Sequence, residues 1–122
     1  MIEITDFDPP RPYAACSQLG NLIFVSGETG VDPTTGEIPA DIEAQAEQAL
    51  RNIETTLRRV GSDLNHLLRL TVYLTDISDL KAVSRTRQRV LPRSIPSATV
   101  GVTAFAQPEM KVEIEATAAL PG

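Results

Sequence analysis

The sequence is poor in the side chains that most nucleophilic and metal-dependent enzymes use. It contains one cysteine, one histidine and no tryptophan among 122 residues. Cys16 alone cannot form an internal disulfide, and no Cys/His cluster has the spacing of a zinc site. A Ser-His-Asp or Cys-His mechanism would depend wholly on His66, which we interpret as a structural residue between a helix and a strand. We therefore expect no metal site and no catalytic triad.

Long apolar runs and blocks of basic residues are also missing. No segment approaches the roughly 18 apolar residues of a membrane-spanning helix. The first residues, MIEITDFDPP, lack the basic-then-apolar pattern of a secretory signal. The sequence therefore predicts a cytoplasmic protein without a membrane partner. The net charge is −5 and the 11 Lys and Arg residues form no block, which argues against a nucleic-acid partner.

What is present is a regular alternation of strand and helix patterns over one domain, residues 1–122. The order β-β-β-α-β-α-β-β predicts an α+β fold, with two helices packed on one face of a mixed β-sheet. The predicted elements are a strand at 2–5, two strands within 13–27 that turn near Gly20-Asn21, a helix from Asp41 to Gly61, a strand at 67–75, a helix at 78–91 capped by Ser78, and strands at 97–105 and 110–120.

The second half of the predicted sheet leaves one face uncovered by helices. On the strand that begins at Ser97 we expect the valines to face the helices, and Thr99, Gly101 and Thr103 to lie on the uncovered face. This face carries threonine and tyrosine but no lysine, whereas a freely solvated sheet face usually carries charges of both signs. We therefore favour a self-association surface, in which pockets form where neighbouring chains meet.

The order of several short motifs resembles the Rid family, also called the YjgF family of reactive-intermediate deaminases. The similarity runs nearly end to end, through PY at 12–13, LGNLIFVSGETGVDPTTGEIP at 19–39, QAEQALRNIE, RLTVYLTD and VEIEATA at 112–118. The resemblance implies a chorismate-mutase-like fold, a closed homotrimer and ligand clefts between subunits. It also implies hydrolysis of a small enamine or imine metabolite to a ketone and ammonia, without metal or cofactor.

The same resemblance assigns roles to individual residues. The family tyrosine falls on Tyr13, the pocket glycine on Gly27 and the polar residue of the second helix on Ser84. The glutamate that orders a water falls on Glu113, which becomes the candidate acid/base; without the family, it reads as a solvated charge. Thr99 is a further candidate for substrate binding on the small-residue strand.

The arginine that binds the substrate carboxylate in the family belongs to a P-A-R-S/T segment, and the chain has no arginine there. We place Ser97 of IPSAT at that position. Arg93 and Arg87 are candidates to replace the missing cation; alternatively, both are surface arginines that cover apolar side chains. Without the cation, ordinary 2-imino acid deaminase activity is expected to be weak or absent.

Three functions remain open from the sequence. The first is a Rid-like hydrolase acting on an enamine, an imine or a related metabolite, which Glu113 favours. The second is a non-catalytic metabolite-binding or sensing trimer, which the missing arginine favours. RNA cleavage, the third, is disfavoured by the acidic composition.

Overall fold

The computed structural model describes all residues, 1–122, and contains six strands and two α-helices in one layered arrangement. The order of elements along the chain is the predicted β-β-β-α-β-α-β-β. The elements are β1 (Ile2–Thr5), β2 (Cys16–Leu19), β3 (Leu22–Thr29), α1 (Ile42–Arg59), β4 (Leu67–Leu74), α2 (Leu80–Val90), β5 (Ser97–Gly101) and β6 (Val112–Ala119).

The strands form a single mixed sheet in the order β1-β2-β3-β6-β4-β5. All neighbours are antiparallel except β4 and β5, which run parallel because α2 returns the chain to the same end of the sheet. The helices cover one face, and the buried apolar side chains lie between the two layers. This arrangement confirms the predicted α+β class.

Helix α1 forms as its sequence pattern predicts. The side chain of Asp41 accepts a hydrogen bond from the Ala44 amide at 3.0 Å and so caps the first turn. Arg58 and Arg59 lie in the last turn, where the helix dipole favours positive charge. Gly61 follows with φ of +86°, a conformation that glycine adopts without strain.

Helix α2 begins two residues later than predicted, and Ser78 does not cap it. Instead, the Asp76 side chain accepts hydrogen bonds from the Ser78 amide and the Ser78 hydroxyl, at 2.9 and 2.7 Å. These bonds close a short 3₁₀ turn before the helix, whose first residue is Leu80. Ser78 lies inside this turn, and Asp79, the residue before the helix, makes no side-chain capping hydrogen bond.

Strand β5 is shorter than predicted, and its side chains point to the opposite faces of the sheet from those predicted. Its parallel register places Ser97 beside Leu70, Thr99 beside Val72 and Gly101 beside Leu74. Side chains paired in register lie on the same face of a sheet, and Leu70, Val72 and Leu74 are buried under the helices. The prediction that Thr99 and its neighbours line the uncovered face was therefore wrong.

Ala98 and Val100 lie on the uncovered face instead, beside Thr71 and Tyr73. The alternation of small and apolar residues misled the prediction because β5 is an edge strand. All five of its residues are exposed, so burial does not distinguish its two faces. The chain leaves the strand after Gly101, so Thr103 and Phe105 belong to the following loop.

Candidate functional site

The predicted site residues lie in two separate places on the chain. Tyr13, Gly27 and Glu113 line one cavity, which we call the β3 cavity, with a volume of about 330 Å³. Ser84 and Ser97 line a second depression, the α2–β5 groove, together with Arg87 and Arg93. The complete lining of the β3 cavity is Arg11, Tyr13, Gly27, Glu28, Thr29, Val31, Asn52, Ala106, Gln107, Met110 and Glu113.

The β3 cavity forms where β3 extends beyond the end of its neighbour β2. On that side the Ser26 amide donates the last backbone hydrogen bond to the Ala15 carbonyl at 3.0 Å, and the Ser26 hydroxyl donates to the Ala14 carbonyl at 2.6 Å. The β3–β6 register shifts between Val25 and Glu28, which is the irregularity of a β-bulge. Beyond it, the end of β3 remains paired with β6 but has no strand on the β2 side, and Arg11 and Tyr13 line the space there.

Gly27 allows the carboxylate of Glu113 to lie against the β3 backbone. A Cβ atom added at Gly27 would stand 2.6 Å from Oε2 and 2.9 Å from Cδ of Glu113. Such distances are far inside van der Waals contact, so only glycine is compatible with this position of the carboxylate. The two residues that the sequence assigned to pocket and catalysis are thus mutually dependent.

Both carboxyl groups of the cavity hold protons more strongly than free glutamate does. Burial raises the pKa of Glu28 to about 7, with the charge of Arg11 opposing the shift and that of Glu113 adding to it. Glu113 is half-buried, and loss of solvation, followed by repulsion from Glu115, raises its pKa as well. A raised pKa suits a carboxyl group to proton exchange near neutral pH.

The aromatic side of the cavity is built by the N-terminal segment. The ring of Tyr13 meets the ring of Phe7 edge-on, with centroids 5.7 Å apart and planes at 87°. The guanidinium carbon of Arg11 lies 3.8 Å from the centroid of the Phe7 ring, a cation–π distance. Arg11 therefore brings a positive charge to the same cavity as the two glutamates.

Asn52 of α1 fixes the wall of the cavity. Its amide group donates to the Thr29 carbonyl at 3.0 Å and to the Val31 carbonyl at 2.9 Å. Its side-chain oxygen accepts a hydrogen bond from Gln48 at 2.9 Å. Since every hydrogen of the amide is used, Asn52 holds the chain after β3 rather than offering a free donor to a ligand.

The α2–β5 groove contains cations but no acid. Arg87 donates a hydrogen bond to the Ser97 hydroxyl at 2.9 Å, and Arg93 donates to the Asn65 carbonyl at 3.4 Å. Neither arginine lines the β3 cavity, so within one chain neither replaces the missing cation beside Glu113. Thr99 lies on the same strand face as Ser97 but lines neither space.

Ser97 and Glu113 also occupy opposite faces of the sheet. Glu113 pairs with Tyr73 on the uncovered face, whereas Ser97 pairs with Leu70 on the helix side. Counting the P-A-R-S/T pattern from Pro96 puts its third residue at Ala98, and Ala98 does lie on the uncovered face. By this pattern the expected arginine would fall at Ala98, one position after the Ser97 of the sequence analysis.

Of the 11 residues that line the cavity, the sequence analysis named only Tyr13, Gly27 and Glu113; Arg11, Glu28 and Asn52 are among those it missed. The signals were present but short, because Glu28 follows the pocket glycine directly and Arg11 precedes the PY pair by one position. His66, by contrast, lies outside the cavity, where its Nδ1 contacts Asp63 Oδ1 at 2.8 Å. Cys16 is buried in the core, and burial raises the pKa of its thiol.

With this geometry in view, comparisons with known proteins define the class. The endoribonuclease L-PSP family matches residues 3–120, nearly the whole chain. The YjgF gene product of Escherichia coli has a solved structure that superimposes with a TM-score of 0.83 at 34% identity, over 88% of this chain and 87% of that one. The chain therefore belongs to the Rid (YjgF) family.

Individual relatives are similar over the same length. The 2-iminobutanoate/2-iminopropanoate deaminase of Escherichia coli strain K12 is 34% identical over 110 residues, which is 88% of this chain and 86% of that protein. The structure of Escherichia coli TdcF with bound serine matches with a TM-score of 0.87 at 28% identity, over 97% of this chain and 94% of that one. Neither helix of the present chain is long and apolar enough to cross a membrane.

Proposed function

We propose that this chain is a cytoplasmic, cofactor-independent hydrolase that converts a small enamine or imine to a ketone and ammonia. The observation that carries the proposal is the carboxylate of Glu113 held against Gly27 in a partly enclosed cavity. A relative that is 34% identical is a 2-iminobutanoate/2-iminopropanoate deaminase, which supports this class of substrate. No step of the proposed reaction needs a metal or a redox group.

The proposed chemistry uses the cavity carboxyl to move protons. Glu113 accepts a proton from a water molecule as the water attacks the carbon of the C=N bond. For an imine that is protonated on nitrogen, this addition gives a neutral carbinolamine. Its nitrogen then takes the proton from Glu113, the C–N bond breaks with release of ammonia, and the hydroxyl group gives its proton to Glu113 as it becomes the ketone oxygen. Burial raises the pKa of Glu113 above that of free glutamate, which strengthens it as a proton acceptor. Tyr13 and the Gly27 backbone position the substrate beside it.

We also propose that the active assembly is a homotrimer with its clefts between subunits. The uncovered sheet face carries a cluster of exposed apolar side chains on β1 to β3, a surface that a chain in isolation leaves in water. Its members are Ile2, Ile4, Leu19, Leu22 and Phe24, which are 41% to 66% exposed. A second chain would bury this surface. In the proposed clefts, the α2–β5 groove with Ser84 and Ser97 would lie against the β3 cavity of the neighbouring subunit and contact the substrate there.

Two experiments test these proposals. Light scattering is expected to give three times the chain mass of 13.2 kDa at micromolar concentration, and a monomer would contradict the trimer. A coupled assay that follows ammonia or ketone release from freshly generated imines is expected to show turnover that depends on Glu113. Turnover of ordinary 2-imino acids at the rate of arginine-bearing relatives would contradict the weak activity expected from the missing arginine.

The second candidate is a binding or sensing trimer that keeps the cavity but performs no chemistry. Ala98, in the place of the family arginine, is the observation that favours it. Such a protein would bind ketones or amino acids and would show no turnover of any imine. RNA cleavage, which the description of the family names, is not proposed, because the chain carries a net charge of −5 and no basic stripe.

A further inference from the structure

A carboxyl group at the junction of two cavities has no partner in the chain. Glu28 lines the β3 cavity and also a second space of about 520 Å³, which we call the outer cavity. The outer cavity is lined from residues 7–11, residues 31–36 and the second half of α1. Glu28 is only 6% exposed, yet it makes no ion pair. Its pKa is shifted by burial and by the charges of Arg11 and Glu113, with no hydrogen bond contributing.

The carboxyl oxygens of Glu28 reach the cavities rather than the apolar core. No side-chain oxygen or nitrogen of the chain is fully buried without a hydrogen-bond partner, so the unpartnered oxygens of Glu28 contact open space. The register pairs Glu28 with Ile114 on the helix side, whereas Glu113 pairs with Tyr73 on the uncovered side. Glu28 therefore lies where the space beside Glu113 continues around the free edge of β3 into the outer cavity.

A carboxylate in this position favours a small cation. An ionised carboxylate that is removed from water and left unpaired is costly, and a bound cation offsets that cost. Arg11 lines both cavities but does not supply this cation, because no ion pair within 4.0 Å joins it to Glu28. Its guanidinium lies instead 3.8 Å from the centroid of the Phe7 ring. The place beside Glu28 is therefore open to a cation from outside the chain.

The lining of the outer cavity suits a cation that carries N–H donors. When Glu28 is ionised, acids outnumber arginines among the charged residues of this cavity, which are Asp8, Arg11, Glu28, Asp32 and Arg59. Thr55 also lines it, and the Thr55 hydroxyl donates its hydrogen to the Arg51 carbonyl at 3.0 Å. The oxygen of that hydroxyl remains able to accept a hydrogen bond. An ammonium ion matches a lining of this kind, because it carries a positive charge and four N–H donors.

We propose that Glu28 is the centre of an ammonium-binding site, through which the ammonia formed beside Glu113 leaves by way of the outer cavity. The site itself follows from the surroundings of Glu28, whereas the source of the ammonium rests on the proposed function. Ammonia that reaches a protonated Glu28 takes its proton: the O–H bond breaks, an N–H bond forms, and an ammonium–carboxylate pair results. After the ammonium ion departs, the carboxylate regains a proton from the solvent.

The test follows the backbone amide signals of residues 27–29 by NMR while ammonium chloride replaces sodium chloride at constant ionic strength. Tetramethylammonium chloride, which has the charge but no N–H donor, is the comparison salt. The wild-type protein is measured at pH 8, where Glu28 is mostly ionised, and at pH 5.5, where it is mostly protonated. The variants are Glu28→Gln, Arg11→Gln and Glu54→Gln. Glu54 is the matched control, because it is an acid of α1 that pairs with Arg58 at 3.2 Å, outside both cavities.

Ammonium is expected to give saturable shifts for the wild-type protein at pH 8, and tetramethylammonium is expected to give none. Glu28→Gln should weaken ammonium binding about tenfold to a hundredfold, the range of one charge-assisted hydrogen-bonded pair. Lowering the pH to 5.5 should weaken it by about tenfold or more, because protonation removes the charge of Glu28. Arg11→Gln removes an opposing positive charge and should tighten binding severalfold. Glu54→Gln should leave the Kd unchanged, and circular dichroism verifies that each variant is folded.

An equal response to ammonium and tetramethylammonium would overturn the inference, since it would indicate a general salt effect. A wild-type Kd retained in Glu28→Gln, or at pH 5.5, would overturn it as well. The role in product release has its own measurement on a verified imine: ammonium chloride should inhibit the wild-type protein more strongly than Glu28→Gln, and equal inhibition would refute that role. Failure of the proposed function looks different, because ammonium binding would depend on Glu28 while no imine is hydrolysed.

Discussion

The β3 cavity and the α2–β5 groove both contain arginine and small hydroxyl or backbone groups, but they use charge differently. In the cavity, two carboxyl groups with raised pKa values share the lining with Arg11, which contacts the Phe7 ring and makes no ion pair. In the groove, no carboxyl is present, and Arg87 is already hydrogen-bonded to Ser97. Proton transfer needs an acid whose pKa is close to neutral. The comparison therefore teaches that only the cavity has the groups for catalysis, while the groove has groups for binding.

The largest effect should come from removing the acid of the cavity. Glu113→Gln keeps the size of the side chain but cannot exchange a proton, so turnover of a verified imine should fall about 10²- to 10⁴-fold. Steady-state kinetics measures this loss. Glu115→Gln is the comparison, because Glu115 lies on the same strand face outside the cavity and acts on Glu113 only through its charge, so a much smaller loss is expected. An equal loss of turnover in Glu113→Gln and Glu115→Gln would show that the cavity carboxyl has no special role compared with other acids of the sheet face.

Glu28 should make the stability of the protein depend on pH. Its pKa is raised from 4.5 to about 7 in the folded chain. Between these values the folded state holds a proton that the unfolded state has lost, so the free energy of unfolding falls as pH rises through this window. Below pH 4.5 the contribution is fully present, and above about 7 it is lost, amounting to about 3 kcal/mol.

Urea unfolding at pH 5 and pH 8 measures this dependence. Glu28→Gln should remove most of the difference between the two pH values, since an amide does not titrate. Substitution of a groove residue should leave the pH dependence of the free energy of unfolding unchanged, and Ser84→Ala is the control. A wild-type protein with the same pH dependence as Glu28→Gln would show that Glu28 titrates normally.

Gly27→Ala should displace the carboxylate of Glu113 while leaving it able to exchange a proton. The added methyl group would stand 2.6 Å from Oε2 of Glu113 and force the carboxylate away. Because the clash is with the end of a flexible side chain, the fold should persist while turnover falls by about 10²-fold. Gly101→Ala is the control, since a Cβ there meets nothing within 4 Å. Full activity in Gly27→Ala would mean that catalysis tolerates a displaced carboxylate.

The smallest effect should come from restoring the family arginine on β5. Ala98→Arg places a guanidinium on the uncovered face and should raise the preference for carboxylate-bearing imines by about tenfold. Ser97→Arg, one position earlier, points the same group to the helix side and should raise it little. The ratio of kcat/KM for charged and neutral imines measures both variants. A greater gain from Ser97→Arg would assign the anion site to the groove.

Periodic patterns were sufficient for most of the fold. The apolar stripe and the Asp41 cap of α1 are local features, so the sequence predicted that helix and its ends correctly. The order of elements and the mixed sheet were also predicted, since they follow from the succession of strand and helix periods. The family resemblance identified Gly27 and Glu113, which the structure brings into contact distance.

Only the tertiary structure decided which residues share a cavity. The faces of β5 depend on its register with β4, which pairs Ser97 with Leu70 and leaves Ala98 on the uncovered side. An exposed edge strand has no burial pattern that reveals this register. Arg11 and Glu28 line one cavity because the segment before β2 passes the end of β3 on the side where β2 is absent. The period of a strand or helix is local, whereas a site assembled from distant segments depends on packing, and no local pattern encodes it.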